Sequence, residues 1–233
     1  MKSALVAAGV LALGVWAPAA GAAPPKVKQL VVFRDGGSVA KTVSTRAVTL
    51  KVEGRRCTAG DATPLAALVR SHPGKLRMSD FGACSRRAAN GGGLFVKGIR
   101  TDVNRGQNGW VYKVGRRSAT AGAADPAGPF GNGRLRAGQR VTWFYCRLRN
   151  GGCQRTLELK VRAQSGKLTA SVRGYDDAGK GVPVSGATVT AGNASAETSA
   201  AGTASLDLPA GRYSVVAAKA GLVRSFAERL EVP

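Results

Sequence analysis

Histidine, acidic side chains and aromatic rings are all scarce in this chain, and each shortage closes off a class of chemistry. One histidine (His72) and 13 Asp and Glu among 233 residues are too few for most metal centres and acid–base hydrolases. Glycan cleavage needs two carboxyl groups facing each other in a cleft. Residues 24–165 offer only Asp35, Glu53, Asp61, Asp80, Asp102, Asp125 and Glu158 for that purpose. The four cysteines form no C-x-x-C pair, which argues against a zinc site or a redox thiol. No apolar run reaches the ~20 residues needed to span a bilayer as a helix. The sequence therefore points to a protein that is not an enzyme and requires no cofactor.

Basic residues, by contrast, are abundant. There are 35 Lys and Arg, for a net charge of +22, and their distribution is uneven. From residue 167 onward seven basic residues face six acidic ones, whereas residues 24–165 carry 27 basic and seven acidic. A charge imbalance of this size concentrates polyanions near the surface.

Lys2, the apolar run 4–15 and the small residues Ala20-Gly21-Ala22 have the order of a secretory signal peptide, cut after Ala22. Residues 1–22 are accordingly expected to be a leader, and the product to be secreted or held in the cell envelope. An even number of cysteines in an exported chain reads as two disulfides. Of three possible pairings, Cys57–Cys84 and Cys146–Cys153 each bracket one local segment and are favoured.

Two β-rich modules follow. In residues 46–53, Val48, Leu50 and Val52 share one face; Leu157, Leu159 and Val161 alternate with Glu158, Lys160 and Arg162 in the same way. Period-two patterns mark half-buried strands, and 27–33, 94–100, 110–114 and 141–146 are further strand candidates. One helix is predicted over 63–70, with Thr63 as N-cap, Pro64 at the first helical position and Pro73-Gly74 as the stop. His72 at its end complements the helix dipole. One short helix among mostly antiparallel strands makes residues 26–162 an α+β module. Residues 163–166 read as a linker. Residues 167–233, with short strands every 8 to 12 residues and no helix, read as an all-β sandwich.

The first module resembles the transcobalamin-like C-terminal domain family. Thr63-Pro64-Leu65-Ala66-Ala67-Leu68 is similar to its T-x-L-x-A-L helix and Phe81-Gly82 to its aromatic–Gly turn. Gly109-Trp110-Val111-Tyr112-Lys113-Val114-Gly115 is similar to its G-W-x-Y-x-V-N-G strand, with Arg116 departing at the end. Leu135-Arg136-Ala137-Gly138-Gln139-Arg140-Val141-Thr142-Trp143 resembles its L-x-x-G-D-x-V-x-W hairpin, with Gln139 in the acidic position. This resemblance implies a β-grasp-like fold and a ligand-binding edge, with cobalamin as the ligand only by family resemblance. The second module resembles the carboxypeptidase-regulatory-like or prealbumin-like sandwich of immunoglobulin type. Its Gly181-Val182-Pro183-Val184-Ser185-Gly186-Ala187 and Leu208-Pro209-Ala210-Gly211-Arg212-Tyr213 stretches carry the likeness. That family implies a spacer or adhesive unit without catalysis.

Trp110 and Tyr112 share one strand face, and Trp143 and Tyr145 another. Such pairs pack as core, or form a platform for a planar or sugar ring beside Lys113, Arg116, Arg117 and Arg147. Both readings stand at the level of sequence. Residues 115–140 form a long Gly-rich connection that is either functional or mobile, with Phe130 placed to anchor it. No recognition-helix pattern, RNP-like strand or zinc knuckle is present, which argues against nucleic acid. The expected partner is an anionic extracellular polymer, an anionic lipid head group, an acidic polysaccharide or a small planar ligand. The alternative is a structural envelope protein with no specific ligand.

Overall fold

The computed structural model describes residues 23–233; the expected leader, 1–22, lies outside them. The described residues are predominantly β. Among them, no helix is long and apolar enough to cross a membrane.

The first unit opens with the hairpin β1 (Lys26–Val32) and β2 (Ser38–Ser44), then a second hairpin, β3 (Val48–Val52) and β4 (Arg55–Ala59). Helix α1 (Pro64–Arg70) follows. The Thr63 hydroxyl accepts a 3.3 Å bond from the Ala66 N–H and so satisfies one of the free donors of the first turn. At the other end the Ser71 N–H and hydroxyl bond back to Ala67 and Leu68. His72 takes a left-handed φ of 50° and ends the helix there.

Strands β5 (Leu76–Asp80), β6 (Leu94–Ile99) and β7 (Asp102–Val103) form a small sheet, preceded at β6 by a 3-10 turn, Ala88–Gly93. Strands β8 (Gly109–Val114), β9 (Arg117–Ser118) and β10 (Arg140–Cys146) complete the main sheet, ordered β2-β1-β10-β8-β9. Only the central pair is parallel, with Lys28 opposite Arg140 through to Val32 opposite Phe144.

Alternation along β1 explains what covers each face of that sheet. Val27, Val31 and Phe33 face a core shared with Leu65 and Leu68 of α1 and with Trp110, Tyr112, Trp143 and Tyr145. Leu30 and Val32 face the other way, onto Phe144 and Val223. Val223 belongs to the second unit, so the main sheet lies between its own helix layer and its neighbour.

The second unit contains β11 (Thr156–Gln164), β12 (Lys167–Tyr175), β13 (Gly181–Pro183), β14 (Thr188–Ala191), β15 (Ala194–Glu197), β16 (Thr203–Asp207), β17 (Gly211–Ala218) and β18 (Glu228–Val232). In one sheet β12 pairs β11 on one side and both β13 and β16 on the other; the second sheet runs β15-β14-β17-β18. Leu157, Leu159, Leu168, Ala170 and Val172 meet Val189, Ala191, Val215, Ala217 and Val232 in one core.

This arrangement corrects the expected boundary. The stretch 163–166 is a hairpin, not a linker: β11 pairs β12 along its whole length, closing at Gln164 opposite Lys167. Ser165 and Gly166 both take positive φ (48° and 74°), as a two-residue β-hairpin turn requires. The chain passes between units at 147–155, through the loop closed by Cys146–Cys153. The favoured disulfide pairing is the one present.

Candidate functional site

The structure gathers the four predicted aromatic residues into the core of the first unit. Trp110, Tyr112, Trp143 and Tyr145 expose 5, 8, 2 and 6% of their surface, so they form no open platform. Their alternation on β8 and β10 turns them toward α1, where the first unit's apolar surface is gathered. Tyr145 packs edge-on to Trp110 and its hydroxyl donates to the Val103 carbonyl.

The other three line a cleft of about 350 Å3, together with Phe95 and the loop 118–123. The cleft arises because β6 and β8 run close together but belong to different sheets. Asn104 spans the two strands. Its backbone N–H and Nδ2 donate to Lys97 and Val96, and its Oδ1 accepts from the Trp110 N–H. On the opposite side the Tyr112 hydroxyl donates to the Ala121 carbonyl at 2.8 Å. Burial pushes the Tyr112 phenol well above its usual range, and the negative charge of Asp125 adds to this; it stays a neutral donor at physiological pH.

The walls differ in polarity. Tyr112 and Trp143 stack with ring centroids 4.9 Å apart. The Trp110 indole N–H donates to the Asp102 carbonyl, whereas the Trp143 Nε1–H is buried without a partner. An unbonded buried donor costs about 1–3 kcal/mol. At the rim Phe95 is 41% exposed and touches the still more exposed Phe81. Phe95 carried no signal in the sequence, because a phenylalanine on a strand reads as core.

The long connection 115–140 is tied down. Leu65 N–H bonds to the Ala123 carbonyl, Leu135 N–H to that of Ala62, and Thr120 and Ala121 both to that of Pro129. Phe130 packs against the first core, with the Arg117 guanidinium 5.5 Å from its ring.

The basic residues grouped with the rings take other positions. Lys113 is wholly buried and serves no surface site: its Nζ donates to the Tyr175 and Asp176 carbonyls at 3.0 and 2.8 Å and lies 3.4 Å from Asp177. Burial lowers the Lys113 pKa, while Asp177 pulls it back up. Arg116 makes a two-pronged bond with Glu158. Arg147 points away from the cleft, and its guanidinium donates to the Arg34 carbonyl. Cleft and cationic groups are therefore separate features.

Among the described residues no three His, Cys, Asp or Glu side chains gather in a group able to hold a metal ion. No protein-family model, curated protein or solved structure matches the chain.

Proposed function

We propose that this is an exported, non-catalytic binding protein whose basic first unit takes a planar or anionic ligand, with the second unit clasped beside it. The aromatic cleft carries this reading. It offers stacked rings and an apolar loop wall, the combination that holds a flat ligand through apolar contact. At about 350 Å3 it has room for a single ring system, not for an entire cobalamin. A cobalamin-like ligand would enter by an edge or side group only.

The strand order supports the β-grasp-like reading of the first unit, because a hairpin, a helix on one face and a returning parallel central strand are that fold's elements. The two sheets of the second unit, sharing one core, support the immunoglobulin-like or prealbumin-like reading.

Trp110 and Trp143 are the only tryptophans after residue 22, and both line the cleft. Tryptophan fluorescence of the mature protein, excited where tyrosine does not absorb, therefore reports on this site. Titration with cobalamin and with one- and two-ring planar aromatics is expected to give a saturable change for at least one small ring compound. Ala119→Leu, which fills the cleft, should abolish it. If none of these compounds gives a saturable change, the structural envelope role without a specific ligand takes its place.

A further inference from the structure

Three arginines far apart in the chain meet at one hollow that shares no residue with the cleft. Arg34 follows β1, Arg100 follows β6 and Arg147 follows β10, and together they line a hollow of about 230 Å3. Each is fixed in place. Arg100 adopts a left-handed φ of 55°, donates from Nε to the Pro73 carbonyl at 2.9 Å, and lies 4.1 Å from the centre of the Phe33 ring. Arg147 donates from one Nη to the Arg34 carbonyl at 2.9 Å. Arg34 stands 3.6 Å from Asp102, which also accepts its backbone N–H at 2.8 Å.

These anchors leave donors over. Among the described residues, both Arg100 Nη groups and the second Arg147 Nη have no protein acceptor. The two carboxylates nearby are already engaged, Asp102 by Arg34 and Asp35 by the Gly37 N–H. Three guanidiniums against two occupied carboxylates leave a surplus of positive charge. Planar forks held in position in this way match an oxyanion in two-pronged fashion at little cost in side-chain entropy.

The hollow continues into a second one of about 250 Å3 that shares Phe33, Arg34, Asp35 and Arg147 and reaches Lys219 of the second unit. We propose that this double hollow is a binding site for a sulfate or phosphate ester, larger than the free ion. The ester sits among Arg34, Arg100 and Arg147, and the rest of the ligand occupies the second hollow. The site does not depend on the aromatic cleft, and it places the recognition of anions at the join between the units rather than over the basic surface as a whole.

Calorimetric titration of the mature protein with inorganic sulfate, inorganic phosphate, a monosulfated disaccharide and a monophosphorylated disaccharide tests it. At least one esterified sugar is expected to bind about tenfold more tightly than its free ion. Arg100→Lys and Arg147→Lys preserve net charge but remove the fork, and each should weaken that binding about tenfold or more. Arg162→Lys, on the exposed part of β11, should not. Thermal melting establishes that the variants fold. Equal binding by all variants would reduce the site to a general charge effect, tighter or equal binding of the free ions would show that the second hollow holds no part of the ligand, and no binding by any probe would refute the proposal. Ala119→Leu should leave these titrations unchanged, so failure here and failure of the cleft reading are separable.

Discussion

The Lys113 ammonium stands 3.4 Å from the Asp177 carboxylate across the junction of the two units. A residue that reads as one more charge on a basic surface is instead a wholly buried polar contact of the interface. Ser118 and the Cys153 N–H also bond Asp177, so one carboxylate gathers β8, β9 and the disulfide loop. Arg116–Glu158 and Arg140–Glu228 join the units on either side.

Lys113→Met should cost about 3 kcal/mol of stability, because two carbonyls and a carboxylate lose their buried donor together. Asp177→Asn should cost less, since both carbonyls still hold the ammonium. Urea unfolding of the two variants gives the comparison, and a larger loss in Asp177→Asn would contradict it.

Acid should loosen this junction first. The bond from Arg116 holds the Glu158 carboxyl below the usual range. Burial alone would raise Asp177, but the Cys153 N–H, the Ser118 hydroxyl and Lys113 together hold it down. Carboxyls with depressed folded values contribute stability that is complete above the unfolded value, ~4, and is lost as pH falls through the folded ones. The urea midpoint should therefore drop below about pH 4, and Glu158→Gln should flatten that decline. An unchanged acid limb in that variant would count against the assignment.

The disulfides close loops of different length, with sequence separations of 27 and 7. Chain entropy assigns about 3.5 kcal/mol to Cys57–Cys84 and about 2.5 kcal/mol to Cys146–Cys153. Paired Cys→Ala variants unfolded in urea should show that order. The reverse order would mean that the short loop contributes chiefly by holding Asp177.

Gln29 is fully buried on β1 with both amide atoms unbonded, in the row that places Val27 and Val31 against the helix layer. Gln29→Met, close in volume, should raise stability by about 1 kcal/mol. A lowered denaturation midpoint would show that the amide has a partner in solution.

Local chemistry was legible and tertiary choices were not. Thr63-Pro64 encodes its own cap, and the alternation at Leu157, Leu159 and Val161 announces a strand wherever it docks. Ser165-Gly166 reads equally as a linker or a hairpin turn because its small polar residues serve either role, and only the pairing of β11 with β12 decides between them. β2 and β4 carry little signal: β2 is polar and buries only Val43, and β4 buries Cys57, Thr58 and Ala59 in a run too short and too mixed to show an alternation. Arg34, Arg100 and Arg147 lie up to 113 residues apart, and no one-dimensional pattern brings them together. The aromatic pairs were recognisable as pairs, but the cleft depends on β6 and β8 failing to join.

The parallel pairing of β1 with β10 has a mechanical consequence. Tension entering at Pro25 and leaving toward Arg147 pulls the two strands in opposite directions along their length. The register from Lys28–Arg140 to Val32–Phe144 must then yield as a block in shear rather than unzip pair by pair. A tethered copy under flow would resist extension at this seam, and single-molecule stretching would register it as one high rupture force.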